Sequence, residues 1–213
     1  MTARGLLFSQ MDPPPGEADE FDDWYEHEHI PARMELDGFT RAARYRGLDG
    51  GPAHLAVYEL DDLDVLRTPA YVELKEKPSP RTARMLGTVA SFTRYQCEQL
   101  SDTGDAQEAA CLFAVAFAVP DAELDQFEDF YETEHVPLLM QVPGWSRVRR
   151  YAVVSGEGGS WNRLALHELR STDALDSPER EAVGTAPKRS ALAGRDWFKA
   201  SGRWVYELIS SRP

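Results

Sequence analysis

The sequence predicts an α+β fold in which one βαββαβ unit occurs twice along the chain. The first observation is an internal repeat, because residues 21–45 and 127–151 align without a gap and agree at 12 of 25 positions. The second is the order of apolar runs and helix-period segments within each copy. Two further pairs of segments align: HLAVYEL (54–60) with RLALHEL (163–169), and TRYQCEQL (93–100) with GRWVYELI (202–209). The duplication therefore covers nearly the whole chain.

Each copy begins with a predicted strand followed by a helix. RGLLFSQM at 4–11 and CLFAVAFAV at 111–119 are apolar runs bounded by proline and acidic residues, which is typical of strands. In the first copy Phe21, Tyr25 and His29 then recur every four residues. They share one face of a helix at that spacing.

Prolines divide the helical region in both copies. Pro31 and Pro137 lack the amide donor of a helix interior and restrict the residue before them, so we expect the helix to be interrupted there. A short second helix can restart with proline in its first turn and end at Gly38 or Gly144.

The rest of the unit is predicted as strand, strand, helix, strand. In the first copy the strands are 40–46, 55–60 and 93–100, and the helix is DLDVLRTPAYVELK at 62–75. This order is that of a ferredoxin-like fold, with helices on one face of an antiparallel sheet. Two such sheets can bury their open faces against each other. We therefore predict two fused ferredoxin-like βαββαβ repeats that form an intramolecular dimeric α+β barrel, a pseudo-dimer within one chain.

A polar segment separates the two copies. SDTGDAQEA at 101–109 has no apolar periodicity and is the predicted linker. The first repeat is then 1–100 and the second 110–213, each of a common domain length.

The composition predicts a cytoplasmic protein that binds neither nucleic acid nor membrane. The net charge of −13 disfavours polyanionic partners, because phosphate binding depends on clustered lysine and arginine. No run of about 18 apolar residues occurs, and the N-terminus lacks the apolar core of a signal peptide. Cys97 and Cys111 cannot make a disulfide framework and are expected to be buried thiols.

The run EHEH at 26–29 raises the question of a metal site. Two ligands on one helix face need a spacing of three or four residues, whereas His27 and His29 are two apart and point to different sides. The second copy also has Thr133 in place of His27. We therefore predict no metal site here and expect His27 to lie in solvent.

A tyrosine and a histidine one turn apart occur in both copies. Tyr25 with His29, and Tyr131 with His135, would lie on the apolar helix face that turns toward the sheet. Because imidazole titrates near neutral pH, these four are candidate catalytic groups that move a proton and hold a substrate oxygen. The alternative is a structural role, in which the imidazole donates a hydrogen bond to a carbonyl freed by the following proline.

Two motifs resemble the EthD-like branch of the dimeric α+β barrel superfamily. They are FxxWYxxEHxPxxxxxxGFxxxxRY at 21–45 and FxxFYxxEHxPxxxxxPGWxxxxRY at 127–151. The resemblance implies the ferredoxin-like fold, a barrel, and a pocket in each half between sheet and helices. It also implies a wide range of activities, including polyketide cyclases, muconolactone isomerase, cofactor-free monooxygenases and haem-dependent enzymes. Fold alone is thus a weak guide to the reaction.

Further residues are candidates for substrate binding. They comprise two aromatic residues, two equivalent strand positions and two arginines for an anionic end: Phe21 and Phe127, Tyr58 and His167, and Arg44 and Arg150. If His167 joins His135 in one pocket, the second half owns two imidazoles, which favours it as the active half. The alternatives are a packed strand histidine and arginines on the surface of a strand.

The sequence thus predicts a cofactor-free enzyme for a small, apolar, aromatic or polyketide-like substrate. The expected chemistry is histidine-mediated proton transfer of isomerase, cyclase or decarboxylase type, with monooxygenase chemistry next. The alternatives are a binding protein for a hydrophobic ligand, and an oxygenase with or without haem. A haem would need an axial ligand, for which His29, His135 or His167 could serve. No motif requires a cofactor, and a further homodimer is left open.

Overall fold

The computed structural model describes residues 4–105 and 109–213, which fall into two compact units. Unit 1 consists of Met1–Gln99, Val154–Gly159 and Leu208–Pro213. Unit 2 consists of Leu100–Val153 and Ser160–Glu207. Each unit thus holds most of one repeat, while residue 100 of the first repeat belongs to unit 2 and residues 154–159 and 208–213 of the second belong to unit 1.

Unit 1 contains four strands and four α-helices among its described residues. The strands are β1 (Gly5–Asp12), β2 (Phe39–Gly47), β3 (His54–Leu60) and β4 (Ala90–Gly104). The helices are α1 (Ala18–Trp24), α2 (Ile30–Met34), α3 (Pro69–Glu76) and α4 (Pro80–Thr88). β1 pairs antiparallel with both β3 and β4, and β3 pairs with β2. The resulting order, β4-β1-β3-β2, is that of a ferredoxin-like sheet.

Unit 2 repeats this arrangement. Its strands are β5 (Cys111–Phe117), β6 (Trp145–Glu157), β7 (Arg163–Leu169) and β8 (Gly202–Arg212). Its helices are α5 (Leu124–Phe130), α6 (Val136–Leu139), α7 (Pro178–Gly184), α8 (Pro187–Leu192) and α9 (Asp196–Lys199). β5 pairs antiparallel with β7 and β8, and β7 pairs with β6. The prediction of an α+β chain with two ferredoxin-like repeats is confirmed. None of the helices in the described part of the chain is long and apolar enough to cross a membrane.

The predicted linker is partly strand. β4 continues to Gly104, four residues into the segment 101–109. Residues 106–108 lie outside the described part of the chain, so the repeat boundaries at 100 and 110 stay a prediction of the sequence.

The helix that carries the EHEH run does not break at proline. Tyr25–His29 form a π-helical turn between α1 and α2, in which the amide of Ile30 donates to the carbonyl of Tyr25, five residues earlier. His29 and Ile30 keep right-handed helical angles, so the predicted interruption before Pro31 was wrong. The helix passes the proline by widening, since a π turn shifts the donor–acceptor pairing by one residue.

The second repeat has the same device. Tyr131–His135 form a π-helical turn between α5 and α6, with Val136 donating to the carbonyl of Tyr131. Pro137 again follows in the first turn of the next helix. Because π turns are rare and frequently mark functional sites, their presence at both motifs directs attention to the side chains that they carry.

The glycines after these helices belong to turns. α2 ends at Met34 and α6 at Leu139, so the predicted helix ends at Gly38 and Gly144 were wrong. Gly38 has φ +90°, and a Cβ built on it would lie 2.4 Å from the Val65 side chain. A left-handed conformation at this close approach requires glycine, and it turns the chain into β2.

The region predicted as one helix at 62–75 is two elements, and a further helix follows it. Leu63–Arg67 form a 3-10 helix, and α3 begins after Thr68, whose hydroxyl accepts from the amide of Tyr71 at 3.4 Å. α4 was missed, although Ser79 caps it in the same way by accepting from the amide of Thr82 at 3.0 Å. The signal was present, because a hydroxyl residue followed by proline is typical of a helix start.

Candidate functional site

Both π turns direct a tyrosine and a histidine into the interior of their unit. In unit 1 the ring centroids of Tyr25 and His29 are 4.8 Å apart, and in unit 2 those of Tyr131 and His135 are 5.0 Å apart. All four side chains are buried. The predicted pairs therefore form in both repeats.

In unit 1 the pair lines a cavity with an empty volume of about 550 Å³. Tyr58 of β3 lines the same cavity, as do the apolar side chains of Met11 and Phe92. This volume includes space open to solvent. Three of the predicted site residues, Tyr25, His29 and Tyr58, are thus brought together.

In unit 2 the equivalent cavity is smaller, at about 360 Å³. Tyr131, His135 and His167 line it together with aromatic side chains, among them Phe113 and Trp145. The ring centroids of His135 and His167 are 6.4 Å apart. Unit 2 therefore holds two imidazoles in one cavity, whereas unit 1 has Tyr58 in place of the second.

The predicted arginine anchors lie elsewhere. Arg44 is 1% exposed and donates to Asp22 at 2.6 Å and to Glu26 at 3.0 Å. Its guanidinium lies 4.6 Å from the centroid of the Tyr25 ring, and it does not line the cavity of unit 1. Since two carboxylates occupy its donors, the interpretation of Arg44 as an anchor for a substrate anion is not supported.

Arg150 repeats this arrangement in unit 2. It is 2% exposed, pairs with Glu128 and Glu132, and stacks 4.5 Å from the centroid of the Tyr131 ring. The cavity that holds His135 does not include it. Both arginines therefore stabilise the back of the π turn.

Phe21 and Phe127 also lie outside the two cavities. Phe21 is fully buried, with its centroid 5.1 Å from that of Tyr25. The ring centroids of Phe127 and Tyr131 are 4.9 Å apart, and Phe127 lines a narrow space beside Arg150. These residues pack the tyrosines from behind instead of covering a ligand.

The other members of the EHEH run have separate structural contacts. His27 is exposed and pairs with Asp23 at 3.0 Å. Glu28 accepts from the hydroxyls of Ser79 and Thr82 at the start of α4. In unit 2, Glu134 accepts from the amides of Lys188 and Arg189 at 3.0 Å each, at the start of α8. Each repeat thus uses this glutamate to hold a helix N-terminus.

The histidines that line the cavities are held in the neutral form. Burial is the main cause that lowers the pKa of His29 and His135 well below the usual value. Burial, with neighbouring arginines, lowers the pKa of His167 to about 3. Nδ1 of each of the three rings is buried and has no hydrogen-bond partner among the described residues. At this atom, the predicted bond to a backbone carbonyl is not formed.

The tyrosines are neutral as well. Burial raises the pKa of Tyr25 and of Tyr131 to about 12, and it raises the pKa of Tyr58 further. The Tyr25 hydroxyl lies 3.7 Å from the Met11 sulfur, whereas the Tyr58 hydroxyl is buried without a partner in the described structure. The Tyr58 hydroxyl can therefore donate a hydrogen bond to a ligand oxygen, and the Tyr25 hydroxyl can do so by leaving the weak sulfur acceptor of Met11.

Cationic side chains at the cavities were missed from the sequence. Arg33, Lys75 and Arg94 line the cavity of unit 1, and three arginines line that of unit 2: Arg180, Arg189 and Arg203. One signal was available, because TRYQ at 93–96 aligns with GRWV at 202–205 and places Arg94 and Arg203 at equivalent positions. Arg33 lies within the aligned repeat, opposite Leu139, whereas Lys75, Arg180 and Arg189 lie on helices outside the aligned segments.

No group of three or more histidine, cysteine, aspartate or glutamate side chains that could hold a metal ion occurs within residues 4–105 and 109–213. Both cysteines are free; Cys97 is buried and Cys111 is half-buried. Burial raises the pKa of both thiols. Neither has the lowered pKa of a reactive cysteine.

No protein-family model matches the chain, and no curated protein matches it. Solved structures do. An anthrone oxidase-like protein superposes with a TM-score of 0.71 at 15% identity, over 100% of this chain and 93% of that chain. A ferredoxin-fold protein related to antibiotic biosynthesis monooxygenases, from Listeria monocytogenes, gives 0.54 at 10% identity, over 98% and 96%.

A heme-degrading enzyme from Listeria monocytogenes gives a TM-score of 0.51 at 8% identity, over 96% of this chain and 99% of that chain. At these identities the likeness concerns the fold, and activity does not follow from it. It agrees with the strand order in each unit. The chain shares the ferredoxin-like fold of these solved structures.

Proposed function

We propose that the protein is a small-molecule enzyme that removes a proton from an acidic C–H or O–H group of an aromatic or polyketide-like substrate. The observation that carries the proposal is the tyrosine–histidine pair, which a π turn directs into a cavity in each repeat. A neutral imidazole of His29 or His135 accepts the proton at its unprotonated ring nitrogen. The hydroxyl of Tyr25 or Tyr131 donates to the substrate oxygen on which charge develops.

The lowered pKa of the histidines restricts the substrate. A lowered pKa makes the imidazole a weaker base, so it abstracts a proton only from a group whose anion the site also stabilises, such as an enol, a phenol or an activated methylene. Return of the proton to another carbon gives isomerisation. Attack of the same anion on a carbonyl carbon of the substrate, with the proton passed to the new alkoxide, gives ring closure. For a β-keto acid the imidazole instead accepts the carboxyl proton, the bond to the carboxylate carbon breaks with release of carbon dioxide, and the proton returns to the carbon of the resulting enolate.

Oxygenation is the second candidate, and the likeness to an anthrone oxidase-like protein favours it. Deprotonated anthrone is an electron-rich carbanion that can be oxidised by dioxygen. The balanced reaction is anthrone plus O₂ to anthraquinone plus H₂O, and no cofactor enters that balance.

Anthrone oxidation is therefore the first assay, followed by oxygen uptake and by the absorbance of anthraquinone. We expect the H29A/H135A double variant to lose at least about 100-fold in rate, since general base catalysis contributes 10²–10⁴-fold. The matched control is H27A, because His27 lies in the same run but is exposed to solvent. Full activity in the double variant would remove the histidines from the mechanism. If wild type is inactive, the same variants are tested against aromatic enols and β-keto acids.

The alternative of a hydrophobic-ligand binding protein makes a different prediction. A binding protein would hold the ligand equally well in wild type and in the H29A/H135A variant, and neither would turn it over. Calorimetry with the same compounds under anaerobic conditions separates the two. The EthD-like assignment and the cytoplasmic location stay predictions of the sequence.

Haem is the remaining alternative. An axial histidine normally has its second ring nitrogen hydrogen-bonded to a partner that orients it. Nδ1 of His29, His135 and His167 has none among the residues that the structure describes. The residues present do not fit an axial ligand on this criterion, so we derive no step through haem. A Soret band that persists in purified protein would contradict this.

A further inference from the structure

The cavity of unit 2 has an unusual charge. Three arginines line it, Arg180, Arg189 and Arg203, and no carboxylate does. The whole chain is acidic, with 36 Asp and Glu against 23 Lys and Arg. Three arginines at one cavity without a lining carboxylate therefore contrast with the acidic composition of the chain.

The arginines are held by uncharged contacts. The Arg180 guanidinium lies 5.7 Å from the centroid of Trp145. Arg189 donates to the carbonyl of Gly184 at 2.6 Å, and Arg203 donates from Nε to the hydroxyl of Ser201 at 3.0 Å. None of the three pairs with a carboxylate within the described part of the chain. Each keeps N–H donors for a ligand, since a guanidinium carries five.

The three charges lie close enough to affect one another. Burial and then the neighbouring Arg189 and Arg203 lower the pKa of Arg180, and burial and Arg203 lower that of Arg189. Like charges gathered in this way repel, and an anion placed among them removes the repulsion. The cluster is thus costly when empty and is stabilised by a negative ligand.

A second observation independently indicates a ligand here. His167 is 1% exposed and lines the same cavity, and its Nδ1 has no hydrogen-bond partner in the described structure. His135, 7% exposed, is in the same situation. A buried ring nitrogen without a partner costs free energy that a ligand oxygen bonded to it would recover.

We infer that the cavity of unit 2 binds a small oxyanion, a carboxylate or a phosphate group, between Arg180, Arg189 and Arg203, with His167 beside it. Guanidinium groups match the paired oxygens of such anions. The aromatic side chains of Phe113, Phe130 and Trp145 form the apolar part of the wall. The space of about 360 Å³ around these side chains includes volume open to solvent. The inference concerns binding alone and stands whether or not His135 transfers a proton.

The test uses the full-length protein with inorganic phosphate and benzoate as separate probes, titrated by calorimetry at constant ionic strength. We expect saturable binding of at least one probe at up to roughly 10 mM, since a group held by a few charged hydrogen bonds reaches that affinity. Phosphate alone identifies a phosphorylated ligand, benzoate alone identifies an organic acid, and both support a general oxyanion site. Absence of binding by both would overturn the inference.

The variants locate the binding. R180Q and R189Q should each weaken it about tenfold, because each removes one charged hydrogen-bonding group. R67Q is the matched control, since Arg67 is exposed and its ion pair with Asp64 lies on the surface. Equal weakening in R67Q would indicate nonspecific attraction and refute the site. If a variant fails to fold, the ring ¹⁵N signals of His167 in wild type decide, because they must shift on titration with the bound probe.

Discussion

Replacing Arg150 by methionine tests whether this arginine is structural. Arg150 is 2% exposed and pairs with Glu128 and Glu132, whose side chains are 30% and 43% exposed. Breaking a fully buried ion pair costs about 3–5 kcal/mol. Because the two carboxylates reach solvent and Glu128 keeps Arg163, we expect a smaller loss of about 2–3 kcal/mol in the free energy of unfolding.

Urea unfolding followed by tyrosine and tryptophan fluorescence measures this loss. With a slope of about 2 kcal/mol per molar urea, the midpoint should fall by about 1 M. The urea midpoint of R44M should fall by a similar amount, since Arg44 makes the equivalent ion pairs in unit 1. The control is R67M, whose exposed pair with Asp64 contributes at most about 1 kcal/mol.

The structural role of Arg150 is refuted if the free energy of unfolding of R150M lies within about 1 kcal/mol of the wild-type value in the same assay. If it also loses ligand binding at unchanged stability, Arg150 is a substrate anchor, as the sequence suggested. A loss of stability with intact binding supports the structural role.

Three other variants test the site and its frame. In wild type, His167 stays neutral in the folded protein because its pKa is lowered to about 3, whereas in the unfolded chain the same residue takes up a proton below about pH 6.5. The free energy of unfolding therefore falls by up to about 1.4 kcal/mol per pH unit below that pH. H167Y removes this contribution, so its free energy of unfolding should fall less than that of wild type between pH 7 and 5. An unchanged slope in urea titrations at the two pH values would contradict this. E134A should lower the free energy of unfolding by about 1–2 kcal/mol, because two amides of α8 lose their acceptor, and equal stability would show that water replaces it. G38A should lower the melting temperature more than G50A, since both glycines have positive φ but only a Cβ at Gly38 meets Val65; equal losses would exclude the clash.

The strands could be predicted because their sequence pattern is local and strong. The ends of β1, β3 and β5 lie within one or two residues of the ends of the apolar runs that predicted them. The repeat also gave two copies of each strand pattern to compare. α4 was harder, since its nine residues contain one buried side chain, Met85, and no long apolar period. Short helices held by caps and by contacts distant in sequence leave little periodic signal.

The π turns could not be predicted from spacing. Tyr25 and His29 are four residues apart, and an α-helix and a π-helix both place such residues on nearly the same side. The proline was read as a break because its missing amide is visible in the sequence, whereas the wider turn that accommodates it is not.

The tyrosine–histidine pairs were found because the repeat kept them, and the same reasoning selected Arg44, whose donors contact two carboxylates. The repeat keeps a residue equally well for folding and for chemistry. What separates the two is the partner, and the partners of Arg44 are Asp22 and Glu26 on the neighbouring helix. Eighteen and 22 residues separate them from Arg44, a pairing that only the fold defines.

The contacts of the EHEH run show that its residues have different roles, since one of the four lines the cavity and the others do not. Glu26 pairs with Arg44 behind the π turn, Glu28 holds the start of α4, and His27 lies in solvent. Of the four, only His29 lines the cavity. Because the two glutamates fix the turn on both sides, the position of the imidazole is determined by residues that touch no ligand. Exchange of Glu28 for glutamine should therefore shift the His29 ring by weakening the contact with α4, although it leaves the charge of every residue that lines the cavity unchanged.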